Sequence, residues 1–320
     1  MIRTAESVSP RHPDKICDRI SDAILDAALA TDANSRVAVE TMGGHGIVTV
    51  TGEMTTSKYV DILSIVRRIA GEKYGVQVNV VNQSHEIAQG VDIGGAGDQG
   101  IMVGYACSDN ESMIPQETYL SRSLCRFIYD KYPYDGKTQI TLNEKGEISA
   151  VVSSFQNAES TALAKLATEW AEKEEIKLPS SGLHFNPAGD WSLGGFDADT
   201  GLTGRKLVVD NYGPRIPIGG GAFSGKDSTK VDRSGAYMAR RVAVDLLRQK
   251  GAKEVYVYIA YAIGVVEPVM AVAIIDGKEE QITGYDLSPR GITEFLSLKQ
   301  PMFEKTAEWG HFGNGFIWDK

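Results

Sequence analysis

Apolar positions along this chain switch between helical and alternating spacing, and the switch recurs three times. Ile16, Ile20, Ile24 and Ala27 share one face of a predicted helix over 13–31; strands near 37–41 and 47–53 follow, then a helix over 56–74 and a strand over 76–82. The second round predicts a helix over 115–131, strands over 137–142 and 147–154, a helix over 158–176 and a strand near 183–186. The third predicts a helix over 228–250, strands over 254–263 and 268–275, and a helix near 288–298. A repeat of roughly 110 residues is too long for a solenoid unit and suits a small domain. An α-β-β-α-β order lays helices on one face of a small sheet, so the predicted fold is α+β, with three similar domains over 1–106, 107–196 and 197–320. In the third, Val255, Val257 and Ile259 alternate with Tyr256, Tyr258 and Ala260, so the strand is apolar on both faces. Such a sheet needs cover from another domain or subunit, which predicts at least a homodimer.

Chemistry concentrates between these elements, above all in residues 219–232, Gly-Gly-Gly-Ala-Phe-Ser-Gly-Lys-Asp-Ser-Thr-Lys-Val-Asp. Glycines let backbone N–H groups approach an anion, Lys226 and Lys230 neutralise it, and Asp227 and Asp232 can hold a divalent metal against it. That combination suits a polyphosphate; the plainer alternative is a glycine-rich surface loop before a helix. Residues 220–226 fit G-x-x-x-x-G-K, but Asp227 stands where a P-loop needs a hydroxyl for magnesium, and Pro214 and Pro217 make a poor preceding strand. Residues 95–100 fit G-x-G-x-x-G, yet they lead into a strand-like run over 101–107 instead of opening a helix. The dinucleotide reading fails on that context, and a glycine loop suited to an active-site lid remains.

Composition narrows the partners. The chain has 320 residues, 42% hydrophobic and 23% charged, which is ordinary for a soluble globular protein with a sizeable core. A net charge of −9 argues against bulk nucleic-acid or anionic-membrane binding, so any anion site must be a local basic pocket. Residues 199–230 provide one, setting Arg205, Lys206, Arg215, Lys226 and Lys230 against Asp199, Asp210 and Asp227. Cys17, Cys107 and Cys125 lack metal-ligand spacing, and no apolar signal or 18-residue apolar run occurs, which predicts reduced thiols and a cytoplasmic protein off the membrane.

Near the start stands Ser9-Pro10-Arg11-His12-Pro13-Asp14-Lys15. Pro13 suits the first helical position, which places His12 at the cap and Asp14 and Lys15 in the first turn, where free N–H groups and the helix dipole favour an anion. Taken together, His12 to Lys15, Val39-Glu40-Thr41, the 52–56 run Gly-Glu-Met-Thr-Thr, 89–92, 95–100, Asp135-Gly136-Lys137, 201–206 and 219–233 resemble the S-adenosylmethionine synthetase (methionine adenosyltransferase) family. The resemblance covers nearly the whole chain, from Glu6 to Gly313. That family's pseudo-threefold, three-domain architecture agrees with the threefold element order above.

The resemblance implies synthesis of S-adenosylmethionine from ATP and L-methionine, followed by hydrolysis of the released tripolyphosphate to pyrophosphate and phosphate. It implies catalytic roles for His12, Lys137, Arg205 and Lys226. ATP contacts are implied for His12, Lys15, Asp135, Lys137, Asp190, Trp191, Asp199, Arg205, Lys206, Ala222 and Lys226. Methionine contacts are implied for Glu53, Gln89, Asp199 and Lys230; Asp98 matches a position at the substrate pocket whose partner stays open. Asp14 and Asp232 match ligands of Mg2+, two ions per site, and Glu40 matches a ligand of K+. Active sites at the interface of a homodimer, or of a tetramer, are also implied. Sulfur needs no general base, so His45, His85, His184 and His311 are expected to be surface or structural groups.

Several departures from the family's common bacterial pattern stand out, a shorter stretch before Gln89 among them. Only Ile93-Gly94 separates Asp92 from Gly95, where relatives carry a longer gating loop. Asp190 and Trp191 stand where many relatives have a basic residue and a phenylalanine, which puts nucleotide affinity in question. The chain also ends soon after Trp318. An active synthetase is the leading reading, and a catalytically silent homologue acting as a nucleotide-binding regulatory subunit is the alternative.

Overall fold

The computed structural model describes residues 1–83 and 94–320. Gln89, His85 and residues 89–93 of the shortened gating loop lie outside the described residues. The predicted long helices form: α1 (Pro13–Thr31), α3 (Gln116–Tyr129), α4 (Ser160–Lys173) and, after the single turn α5 (Leu207–Asp210), α6 (Val231–Lys250), the last ending at Gly251 in the left-handed region at φ 60°. The predicted helix over 56–74 shortens to α2 (Ile62–Ala70), because the Asp61 side chain caps Ser64 N–H at 3.1 Å and Gly71, at φ 114°, ends it. The last predicted helix shortens likewise to α7 (Pro289–Phe295), where Ser288 accepts from Gly291 N–H.

Twelve strands among the described residues form three four-stranded sheets. The first has the order β4 (Gly75–Val81), β3 (Ile47–Thr55), β2 (Arg36–Gly44), β9 (Gly201–Leu202). The second is β1 (Arg3–Val8), β6 (Gly136–Leu142), β7 (Ile148–Phe155), β8 (Leu183–Phe185). The third is β12 (Lys278–Gln281), β11 (Met270–Ile275), β10 (Glu254–Tyr261), β5 (Gly100–Cys107). Segment 1–106 thus lends β1 to the second sheet and β5 to the third, and segment 197–320 lends β9 to the first. The α+β class holds, but no linear cut separates the sheets.

Each sheet carries a long helix. α1 packs on β2, α3 on β1 and β6, and α6 on β5 and β10. Gly104 makes the last contact possible, since a Cβ there would lie 2.1 Å from the Ala239 carbonyl. One continuous core joins the first and third sheets through Ile16, Ile20, Ile24, Val37, Val39, Val255, Val257 and Ile259; a second, around Leu124, Ile140, Val151 and Trp170, serves the second sheet. The outer face of the third sheet keeps its apolar character. Ile101, Ala260 and Met270 lie in register across three strands, with Ile101 52% and Met270 38% exposed. No helix of the described residues is long and apolar enough to cross a membrane.

Candidate active site

The mouth of α1 meets the segment 201–206. His12 is the N-cap, and its Nδ1 accepts the Asp14 N–H at 3.2 Å. A neutral imidazole in that bond carries its proton on Nε2, which leaves Nε2–H as a donor. Burial, then the nearby Lys206 charge, lowers the His12 pKa to about 3, so the ring is neutral at physiological pH. Asp14 is fully buried: Oδ1 accepts from Leu202 N–H at 3.0 Å and lies 3.2 Å from Arg205 Nε, while Oδ2 accepts from Lys206 Nζ at 2.5 Å. Burial alone would raise its pKa; the Lys206 and Leu202 hydrogen bonds outweigh it and hold the carboxyl below its usual range. Gly201 permits this docking, because a Cβ there would lie 2.2 Å from the Pro13 carbonyl.

The glycine loop runs along the same edge of β2. Val39 N–H donates to Gly225 O and Asp227 N–H to Val37 O, while Thr203 N–H donates to Thr41 O further along that edge. Lys226 Nζ donates to Asp232 Oδ2 at 2.6 Å, and Asp232 Oδ1 accepts Gly221 N–H at 2.8 Å. Lys230 Nζ donates to Asp227 Oδ2 at 2.5 Å, and that carboxylate also accepts Val37 N–H at 2.6 Å. Ala222 sits against Gly204, linking the two loops. Lys226 is bridged to Ala38, which is paired to Glu53. Thr41 bonds Ser21 of α1, so Ala38 and Glu40, offset by an odd number of residues, face away from that helix. Lys226, Glu53 and Glu40 therefore share the outer face of the first sheet.

The other predicted residues fall in several places. Lys137 is exposed on β6, and its charge is felt at His12. Asp135 accepts Gly195 N–H at 3.0 Å, and burial raises its pKa despite that bond. Trp191 is half-buried, whereas Asp199 and Asp98 are exposed and bond the backbone of Thr200 and Gln99. Asp190 is turned to α4, accepting Ser160 N–H at 2.9 Å and Asn186 Nδ2–H at 3.0 Å. Lys15 differs from the expected direct nucleotide contact. It is buried, with its ammonium held by Asp18 Oδ2 at 3.0 Å and by Asp210, and these two carboxylates keep its pKa above the usual range against the cost of burial. Of the remaining histidines, His45 and His184 are exposed and His311 is fully buried on Tyr237, its Nδ1 2.7 Å from the hydroxyl.

Sequence reasoning missed Asp18, Asp22 and Asp26, which follow Asp14 at four-residue steps on α1 and each accept backbone N–H groups of another segment. Asp18 takes Gly204, Asp22 takes Gly225, and Asp26 takes Met302, Phe303 and Glu304. The regular spacing of four was the available signal.

Among the described residues no group of three or more His, Cys, Asp or Glu could hold a metal by itself. Asp14 and Asp232 stand singly beside lysines that also suit phosphate. That donor set fits Mg2+, which takes one or two carboxylates together with substrate phosphates. Three domain descriptions of one family match successive stretches: S-adenosylmethionine synthetase N-terminal domain over 1–88, central domain over 93–190 and C-terminal domain over 193–320. The chain is 40% identical over 365 residues to the S-adenosylmethionine synthase of Myxococcus xanthus, covering 99% of this chain and 92% of that protein. It is 39% identical to the synthase of a Nitratiruptor species and 40% identical to that of Salinibacter ruber, covering 99% of this chain and 95% of each relative. The aligned lengths exceed this chain's 320 residues, so the relatives carry internal segments that it lacks. With matches over nearly its whole length, the chain belongs to the S-adenosylmethionine synthetase family.

Proposed function

We propose that this protein is a methionine adenosyltransferase, making S-adenosylmethionine from ATP and L-methionine. The methionine sulfur forms a bond to C5′ of ATP, and the C5′–O bond breaks with its electron pair leaving on tripolyphosphate. Water then cleaves the tripolyphosphate to pyrophosphate and phosphate in the same site. One observation carries the reading: two cation-bearing loops, 201–206 and 219–230, are docked along one edge of β2, beside the helix mouth that holds a neutral histidine. A polyanionic leaving group needs several preorganised cations, and Arg205, Lys206, Lys226 and Lys137 supply them.

His12 Nε2–H donates to the oxygen that departs, while Asp14 holds Arg205 and Lys206 in position until phosphate competes for them. Asp135, Trp191, Asp199 and Ala222 complete the nucleotide site, and Lys15 braces the helix mouth from behind. Glu53, Gln89, Asp199 and Lys230 bind methionine, with Asp98 at the same pocket. Asp14 and Asp232 would hold Mg2+ and Glu40 would hold K+; the bound ions supply charge neutralisation at the polyphosphate. The exposed apolar row Ile101, Ala260, Met270 and the functional side chains on the outer face of the first sheet support a homodimer with active sites at its interface. Three buried free cysteines favour the cytoplasm as its compartment.

The test is incubation with ATP, methionine, Mg2+ and K+, followed by mass spectrometry for S-adenosylmethionine and phosphate analysis. Product formation supports the reading. ATP binding without product would instead identify a silent nucleotide-binding homologue.

A further inference from the structure

We infer that the buried Asp22–Arg233 pair is a positioning device that sets the reach of Lys226. Lys226 Nζ is useful only if its backbone is held, and the loop that carries it is rich in glycine, which offers little rigidity of its own. The pair grips that backbone at consecutive residues. Asp22 Oδ1 accepts Gly225 N–H at 2.9 Å, and Arg233 Nη1 donates to Lys226 O at 3.0 Å. The two side chains are themselves joined as a fork, Nη1 to Oδ1 at 2.7 Å and Nη2 to Oδ2 at 2.8 Å, and both are fully buried. Arg233 is fixed again by Tyr237, whose hydroxyl accepts from Nε at 3.1 Å, and it lies over the Phe303 ring at 4.4 Å.

The geometry ties three elements to one point. Asp22 belongs to α1, whose Asp14 and Asp18 hold Leu202 and Gly204, the backbone beside Arg205 and Lys206. Arg233 follows Asp232, the carboxylate partner of Lys226. Both cationic loops are thus referred to the same rigid helix, two and one turns apart along it, so the spacing between Lys206 and Lys226 is set by α1. Neither Asp22 nor Arg233 reaches the surface, so neither touches substrate. Their effect is on where Lys226 sits. A planar fork makes this job specific to arginine, because lysine could keep the charge pair with Asp22 but could not also reach the carbonyl.

The inference rests on the assignment of Lys226 to the polyphosphate, and the experiment separates the two. Arg233→Lys, Lys226→Met and the double variant are compared in single-turnover formation of S-adenosylmethionine, with thermal midpoints and KM for methionine measured alongside. Arg233→Lys is expected to lower kcat about 10- to 100-fold, the loss that displacement by ~1 Å can cause, with KM for methionine little changed. In the Lys226→Met background the same change should cost less than about 3-fold, because its target is gone. Equal losses in both backgrounds, or full activity of a folded Arg233→Lys protein, would overturn the clamp. Full activity of Lys226→Met would overturn the polyphosphate assignment instead. Should Arg233→Lys not fold, Asp22→Asn, which keeps an acceptor for Gly225 N–H, carries the same cycle.

Discussion

A neutral His12 has a defined tautomer, since its Nδ1 is occupied by the Asp14 N–H and only Nε2–H can face a substrate. With the pKa lowered to about 3, the ring stays neutral above about pH 4 and protonates only in stronger acid. The pH profile of adenosyl transfer from pH 5 to 8 should therefore show no inflection that is lost in His12→Asn. Asparagine is a good N-cap and its short amide can keep the bond to Asp14, so the variant isolates the missing Nε2–H donor. Single-turnover transfer should slow by about 2 to 4 kcal/mol of barrier, with hydrolysis of added tripolyphosphate affected less. Equal losses in both steps would mean a different role. Asp190 presents a contrasting case. Its carboxylate satisfies the first N–H of α4, which the N-cap Glu159 leaves without a side-chain acceptor. Asp190→Ala should then cost about 1 kcal/mol of stability, seen as a lower thermal midpoint, while KM for ATP stays within about 2-fold. A large change in KM at constant stability would return Asp190 to the nucleotide.

Among the elements, the glycine loop depends on closeness. Gly225 has φ 81°, and a Cβ there would lie 2.0 Å from the Val39 carbonyl, the group next to its own ladder bond with β2. Alanine must therefore both strain the backbone and push the loop off β2. Gly225→Ala is expected to destabilise the protein by about 1 to 3 kcal/mol and to depress kcat more than KM for methionine, measured by denaturant titration and steady-state kinetics. The opposite kinetic pattern would mean that the loop serves methionine binding first. Helix α1 matters on the same scale. Its apolar face was readable from Ile16, Ile20 and Ile24, all buried, but the aspartates at positions 14, 18, 22 and 26 also point inward, and each accepts backbone N–H groups of a segment distant in the chain.

For the whole molecule, the outer face of the third sheet leaves an apolar row open to solvent, with Ile101 52% and Met270 38% exposed. In the proposed homodimer, burying the Ile101, Ala260 and Met270 row against a second copy would remove apolar surface from water. If the proposed homodimer forms through this face, Ile101→Lys should shift the protein from dimer to monomer in equilibrium sedimentation and lower specific activity in proportion to the dimer lost. A fully active monomer would show that one chain builds the site alone. Ile101 points away from α6, so the substitution leaves the inner core of Val255, Val257 and Ile259 in place.

The sequence by itself determined the local matters: the long helices and the strands of the main hairpins, the His12 cap ahead of Pro13, the run of glycines, lysines and carboxylates over 219–232, and the resemblance to the family. Periodicity, proline and glycine act over a few residues, so those features can be read along the chain. Tertiary structure decided what joins distant residues. β1 pairs with a strand more than a hundred residues away, and Asp22 meets Arg233 across 211 positions. It also decided that Lys15 turns inward to Asp18 and Asp210 while Asp14 keeps Lys206 and Arg205. The reason is electrostatic: a buried charge must find a partner of opposite sign, and only the folded chain determines which partners are within reach.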